Sequence, residues 1–475
     1  METRAATELW ARSQFGTADL GDARRSKRLV RCLVRACERP SGKLSEVFVS
    51  ACELDAAYDF VESEHVRVER VEAAVGRATA RSCRGGGRIR IAVDGSSANV
   101  VDRTNQKGFG QIGTNSTTAR GLKVMTALAV DQDGATVGVL AQSYWARPVG
   151  RPRRSAARKA LDRARKSPAQ KETRHWLEVI ERAADRLDEE QTLGWFQLDR
   201  EGDAWPTLRA LDHSGHWFTV RSAWDRVVEG TGRDRYHLRA HMAARRPIAT
   251  YELSVSAGKA RQARQARMVV RAASVTLRLH DKRTRKMLPL TVNIVWVREQ
   301  GTTPRGEKPL DWMLLTNAPI GDVEQARDVV AGYATRWRIE DFHKSWKSGA
   351  CNIEHTQLRS RDAVIRWATI LAVVAARVER LKHLSRTDPS RAASDEFTRI
   401  ELEVLMALKR RYKKRTESVP DGTPSMTQAV RWLADLGGYT GKSSGGPPGS
   451  VTIARGLDRL RTAVEGVLAM RGAHK

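Results

Sequence analysis

Ile89-Arg90-Ile91-Ala92-Val93-Asp94 and Leu193-Gly194-Trp195-Phe196-Gln197-Leu198-Asp199 are two short apolar runs, and each ends in a carboxylate. Runs this short, rich in β-branched and aromatic residues, read as strands. Between them Lys123 to Val130 and Thr136 to Ser143 continue the strand texture, and residues 151–190 form a charged helical stretch. The expectation is an α/β fold in which two strands deliver Asp94 and Asp199 to the sheet end.

Outward from these runs the texture changes twice. Residues 1–80 are predicted helical. Asp19 or Asp22 is placed to cap a helix through Leu29, Val30, Leu33 and Val34. Its other face carries Arg24, Arg25, Lys27, Arg28, Arg31 and Arg35, and a second helix would hold Val47, Phe48, Leu54, Tyr58 and Phe60. A small basic helical domain suits DNA binding, although one charged helix face alone is more often simply solvated. Arg84-Gly85-Gly86-Gly87-Arg88 reads as a break. Beyond Asp199, residues 217–320 are mostly β in pattern, 323–348 return to helix, and the chain from about 360 is helical apart from a Gly- and Pro-rich piece at 437–449.

Composition narrows the function. Hydrophobic residues make up 41% and charged residues 29%, a globular rather than a disordered balance. Lys plus Arg is 83 against 55 for Asp plus Glu, a formal net charge of +28. Such an excess fits an anionic partner, and nucleic acid fits better than an anionic membrane because the basic residues are spread along the chain. The longest apolar run, Trp367 to Ala376, is too short for a membrane span, and the first residues carry no apolar signal segment. The expected location is therefore cytoplasmic. Five cysteines without a CxxC pair read as free thiols; His343, Cys351 and His355 lack a fourth partner at a zinc-site spacing.

Two motifs mislead. Gly108-Phe109-Gly110-Gln111-Ile112-Gly113 fits a dinucleotide loop, but no helix is predicted after it to face a pyrophosphate. Gly437 to Ser443 resembles a P-loop with one residue too few between its glycines.

Asp94, Asp199 and Glu340 are the constellation that carries chemistry. Two strand-end carboxylates side by side, joined by a third from a packed helix, can hold the divalent cations of two-metal phosphoryl transfer. Oxygen ligands favour Mg²⁺ or Mn²⁺. Asp102, Asp131, Glu201 and Asp203 are rivals, because a strand-end Asp is commonly a turn residue. The helix around Glu340 says more. Tyr333, Arg336, Glu340, Lys344 and Lys347 recur at three- and four-residue steps and fall on one face, a stripe of phosphate-binding donors around one acid. Trp337 and Phe342 point elsewhere and are expected to pack. A salt-bridged solvent face would also account for the charges.

Tyr-x2-Arg-x3-Glu-x6-Lys, as Tyr333, Arg336, Glu340 and Lys347, resembles the signature of the insertion-sequence-four family of bacterial cut-and-paste transposases. The resemblance extends to Ala92-Val93-Asp94, Trp145-Ala146-Arg147-Pro148, Asp199-Arg200-Glu201-Gly202-Asp203 and Pro309 to Thr316. It also covers Leu20 to Arg25 and Leu436 to Gly449. It implies an RNase H-like catalytic core over 85–365, with a β-rich insertion at about 205–320 in the long gap before Glu340. A helical DNA-binding domain (1–80) and a helical dimerisation and DNA-contact domain (366–475) would flank it. Asp94, Asp199 and Glu340 would hold two Mg²⁺ or Mn²⁺ ions. Tyr333, Arg336 and Lys347 would grip phosphates, with Arg221 and Lys344 as weaker candidates. Trp312 would stack on a flipped base, unless it is a core residue beside Met313, Leu314 and Leu315. Arg24, Arg25 and Arg28 would help read terminal inverted repeats. The implied reaction is excision by nicking and a hairpin intermediate, then strand transfer into target DNA within a homodimer.

Two other classes share these features. A cellular RNase H-like nuclease or resolvase needs the triad but not Trp312 or the Tyr-Arg-Glu-Lys face. A non-catalytic DNA-binding relic keeps only a basic surface such as Lys409 to Arg415.

Overall fold

Alternation along β1 (Ile89–Asn99) decides how the sheet is buried. Ile89, Ile91 and Val93 join one apolar core, while Ala92 and Ala98 join another on the opposite face. A strand buried on both faces reads as a continuous apolar run, as this one does up to Val93. The computed structural model describes residues 2–102, 107–113, 119–148, 155, 158, 165–229, 236–258, 261–281, 283–413, 415, 417–441 and 446–473.

The strands form a mixed sheet. β1 pairs antiparallel with β3 (Arg120–Val130), which pairs antiparallel with β4 (Thr136–Trp145) and briefly with β2 (Gly110–Gln111). On its other side β1 pairs in parallel with β5 (Gly194–Leu198), and β5 in parallel with β6 (Trp217–Arg221). The sheet continues antiparallel through β12 (Asp311–Thr316), β11 (Lys286–Gln300) and β10 (Arg264–Asp281). β7 (Val227–Val228), β8 (Tyr236–His237) and β9 (Ala249–Val255) border β10 or follow it. The strands of the β-rich stretch thus extend the same sheet. Its expected start at about 205 falls in the crossover from β5 to β6, which belongs to the parallel trio.

Helices cover both faces. α1 (Glu2–Phe15), α2 (Ala23–Glu38), α3 (Leu44–Val47), α4 (Ala51–Glu62) and α5 (Val68–Cys83) precede the sheet. Asp22 caps α2 by accepting from the Arg24 N–H, and Leu29, Val30, Leu33 and Val34 are buried as the spacing predicts. The second predicted helix is instead two, because Phe48 leaves helical geometry and Ser50 starts α4. α6 (Thr173–Glu189) and α7 (Trp205–His213) cover the Ile91 and Val93 face. α8 (Leu238–Ala243) lies against β10 and β7.

α9 (Val323–Ala334) and α10 (Arg338–Lys347) are joined by one 3-10 turn, Thr335–Trp337. α11 (Arg361–Thr387) is the long buried helix anticipated around Trp367 to Ala376. α12 (Arg399–Tyr412), α13 (Met426–Leu436) and α14 (Ser450–Ala473) follow and share a core with its second half. Among the described residues no helix is long and apolar enough to cross a membrane.

Two further expectations change. β1 does not end at Asp94: pairing with β3 runs on to Asn99, while pairing with β5 stops at Val93 opposite Leu198. Lys409 is not part of an exposed basic surface, since it is buried and paired with Glu417 (2.8 Å) and Asp435 (3.0 Å). Parts of the 151–190 stretch, and residues 442–445 of the Gly- and Pro-rich piece at 437–449, lie outside the described residues.

Candidate active site

Asp94 and Asp199 are brought together by parallel pairing. Val93 lies opposite Leu198, so the next step along both strands puts the two carboxylates side by side. The side chains of Asp94, Ala92 and Ala98 fall on one face of β1, which α10 and α11 cover. Asp199 leaves β5 and caps a 3-10 turn, its Oδ1 accepting from the Glu201 N–H at 2.8 Å. This is the carboxyl end of neighbouring parallel strands, the usual place for a ligand in such sheets.

α10 brings Glu340 to the same point. His343 Nε2 lies 3.2 Å from the Thr126 hydroxyl, and Thr126 is the β3 partner of Asp94. Burial, and then Lys347, push the His343 pKa down to about 3, so the ring is neutral. Arg336 closes the arrangement from the turn before α10. It donates through Nη1 to Asp94 Oδ2 at 3.1 Å and through Nη2 to Glu340 Oε1 at 2.7 Å. Burial opposes its charge, but pairing with Glu340, Tyr333 and Asp94 raises its pKa above the ordinary value.

The electrostatics of Asp94 follow from this crowding. Burial and then the charge of Asp199 push its pKa up to about 7, with Arg336 and the Gly95 N–H pulling the other way. One guanidinium does not balance the acids gathered here. An all-oxygen donor set with surplus negative charge fits a hard divalent cation.

The rest of the predicted stripe divides by exposure. Lys344 is exposed and Lys347 half-buried, open to an incoming phosphate. Tyr333 is buried, its pKa raised by burial and eased by Arg336 and Arg221. It does not present a phosphate-gripping surface here; it packs edge-on against Trp312, ring centres 5.7 Å apart. Trp312 is half-buried, and Arg221 is half-buried with Nη2 donating to the Asp311 carbonyl at 2.8 Å. Trp337, expected to pack, is 54% exposed, because the 3-10 turn rotates it away from the core that takes Ile339 and Phe342. On α2, Arg24 is exposed and pairs with its own cap Asp22 (3.0 Å), whereas Arg25 reaches back to the Leu20 carbonyl and Arg28 is half-buried.

Three of the four rival acids have structural partners. Asp203 is buried against Arg226 (2.6 Å) and the Ala223 N–H (2.6 Å), fixing the turn after Asp199 to the end of β6. Asp131 accepts from the Ala135 N–H in the β3–β4 turn, and Asp102 is buried and accepts from the Lys107 N–H. Glu201 is exposed. His343 and Cys351 are each engaged, Cys351 with the Leu371 carbonyl at 3.4 Å.

One network went unseen in the sequence. Asp341, next to Glu340, gathers with Glu379 and His383 of α11, their ligand atoms within 4.8 Å of one another. Lys382 already supplies the cation, 2.9 Å from Asp341 and paired with Glu379. Ser450 at the start of α14 donates to Glu379 at 2.5 Å. The group therefore ties α10 to α11 and to the C-terminal helices. An i, i+3, i+4 trace of Glu379, Lys382 and His383 was its only sequence signal.

Two family models match the chain. Residues 7–66 match the one described as "Transposase DNA-binding", which covers α2 to α4 and their arginines. Residues 224–376 match the one described as "Transposase DDE domain", which holds Trp312, Tyr333, Arg336, Glu340, Lys344 and Lys347 and begins after Asp94, Asp199 and Arg221. That second domain implies an RNase H-like core, and together the two matches support a DDE-type DNA transposase.

Proposed function

We propose that this protein is a DNA transposase of the insertion-sequence-four type. In this reading it excises a mobile element at its terminal inverted repeats and joins it to target DNA, with Asp94, Asp199 and Glu340 as metal-binding catalytic residues. The observation that carries the reading is the meeting of three carboxylates from β1, β5 and α10 at the carboxyl end of parallel strands.

Two Mg²⁺ or Mn²⁺ ions, when bound, activate the attacking oxygen and stabilise the leaving one. Asp94 and Asp199 hold their oxygens side by side because the strands fix them, and Glu340 closes the site from the helix. Lys344 and Lys347 lie further along the same helix face, where they meet the phosphates flanking the scissile bond. Tyr333, itself held by Arg221, braces Trp312, whose half-exposed ring receives a base turned out of the duplex. First-strand nicking, a hairpin on the element end, its opening and strand transfer follow in that order.

The domain assignment follows the same reading. Residues 1–80 bind the inverted repeats through the α2 arginines, and 85–365 carry the chemistry with the β-rich stretch as an insertion. Residues 366–475 pair two subunits, so that each acts on a DNA end held across the dimer. Such a protein works in the bacterial cytoplasm, on the nucleoid.

Cleavage of a duplex bearing the element's own end, with Mg²⁺ or Mn²⁺, tests this directly. Asp94→Asn and Glu340→Gln are each expected to lower cleavage by at least about a hundredfold while leaving the gel shift of the same duplex intact. Loss of binding along with cutting would make the carboxylates structural. Full cleavage by Glu340→Gln would remove the triad assignment altogether.

A further inference from the structure

Arg336 stands in an unusual position. It is buried, with 6% of its side chain exposed, and its two terminal nitrogens go to different acids on different elements, Asp94 on β1 and Glu340 on α10. A guanidinium that served one carboxylate would ordinarily present both nitrogens to it. Here it is instead the positive centre between two acids that would otherwise repel. Its Nε is buried and, among the described residues, has no hydrogen-bond partner. The head group is held by the two acids, with Tyr333 and the exposed ring of Trp337, 5.1 Å away, beside it.

We infer that Arg336 is the resident cation of the metal-free site: its guanidinium holds Asp94 and Glu340 together by occupying their facing oxygens, and a divalent cation and Arg336 compete for those oxygens. The inference rests on the proposed triad. A carboxylate oxygen that accepts from a guanidinium has one lone-pair direction fewer, and less uncompensated negative charge, to offer a metal ion. Asp94 and Glu340, if they held a divalent cation, would therefore loosen their hold on Arg336. An incoming DNA phosphate is the natural alternative acceptor for the released guanidinium. Metal and DNA thus favour each other's binding, because each removes part of the cost of moving one arginine. Arg336 is a positioning residue here, acting on the acids rather than on the reacting atoms.

Mn²⁺ binding to the full chain, followed by calorimetry and by the Mn²⁺ electron-spin signal at pH 8, separates this from a merely supporting role. Without DNA, Arg336→Gln should bind Mn²⁺ about tenfold more tightly than wild type, and Arg336→Lys should fall between them, since one ammonium cannot span both acids. Adding end duplex should tighten Mn²⁺ binding in wild type and change it far less in Arg336→Gln. Equal or weaker Mn²⁺ binding by Arg336→Gln would overturn the inference. If that variant fails to fold, judged by its circular dichroism, Arg336→Lys decides: tighter binding supports the competition, and equal or weaker binding ends it. Glu340→Gln separates the two levels. If it binds Mn²⁺ as wild type does, the ion sits elsewhere and the triad reading falls together with the inference. If it loses the ion while Arg336→Gln gains nothing, the triad stands and only the inference fails.

Discussion

Trp312 and Trp337 stand on either side of the Tyr333–Arg336 turn and differ in what surrounds them. The Trp312 ring meets Tyr333 edge-on, on a strand whose next four residues are buried. Trp337 has little beyond the Arg336 guanidinium against it. Truncation of Trp337 to Ala is therefore expected to change stability by less than about 0.5 kcal/mol, whereas Trp312→Ala leaves a void beside Tyr333 and costs about 2–3 kcal/mol. Thermal unfolding of both variants in the absence of DNA measures the difference; equal losses would mean that Trp337 packs after all. Three- and four-residue spacing correctly put Arg336 and Glu340 together, and their contact is an i, i+4 pair. The same spacing could not reveal that Arg336 also reaches Asp94, a partner far away in sequence. Nor could it reveal that the turn at 335–337 changes pitch and exposes Trp337. Local periodicity carries intrahelical neighbours, while long-range partners depend on how the sheet is registered.

At the scale of elements, one buried ion pair fixes three of them. Glu72 on α5 takes both terminal nitrogens of Arg186 on α6 (2.9 and 2.8 Å) and the Gln142 N–H of β4 (3.0 Å), while Arg186 also donates to the Leu140 carbonyl. Gly76 makes this approach possible: a Cβ there would lie 2.3 Å from the Leu140 oxygen, a backbone atom with no room to yield. Burial disfavours the Glu72 charge, but the Arg186 hydrogen bonds and charge, followed by Arg182, outweigh it and hold the pKa below the ordinary 4.5. A lowered carboxylate pKa contributes stability above the unfolded value and loses it as pH falls below about that value. Wild type should therefore lose melting temperature between pH 5 and 3 more steeply than Glu72→Gln. At pH 7 that variant should be less stable by about 3–5 kcal/mol, the usual cost of leaving a buried charge without its partner. A flat difference between the two across that pH range would mean that Glu72 is not charged in the fold. The strand at 136–143 and the helical character of residues 1–80 and 151–190 were legible in the sequence. The pair itself was not, because an isolated Glu in α5 and an Arg in α6 look like surface residues until the helices are packed.

Across the whole molecule, α11 is the shared spine. Arg366 donates to the Val61 carbonyl at 2.7 Å and also to that of Val66, and the Trp367 indole donates to the Ser41 carbonyl at 3.0 Å. On its other sides the Ala368 carbonyl accepts from Trp346 of α10 at 2.8 Å, and Lys382 pairs with Asp341. The apolar core that begins at Ala11 runs without interruption through Val75 to Ala376. The glycine run at 85–87 marks a change of texture, which is why a boundary near residue 80 is easy to read there. Nothing in local composition reports that the core continues underneath. A run such as Trp367 to Ala376 declares that it is buried but not by what. The consequence is a cooperative unit: helices α1 to α5 have no separate apolar interior to fold around and depend on α11. A protease site inserted after Gly85, where a side chain would meet nothing within 4 Å, tests this. After cutting, residues 1–85 and the remainder should elute together under native conditions, separate only in denaturant, and unfold in a single transition. Arg366→Met, which removes the two carbonyl ties while keeping the apolar bulk, should lower that transition and release the N-terminal piece at lower denaturant. Separation of the pieces in native buffer, with the N-terminal piece still helical, would instead make α1 to α5 a self-sufficient module and move the domain boundary from a reading of texture to a property of the fold.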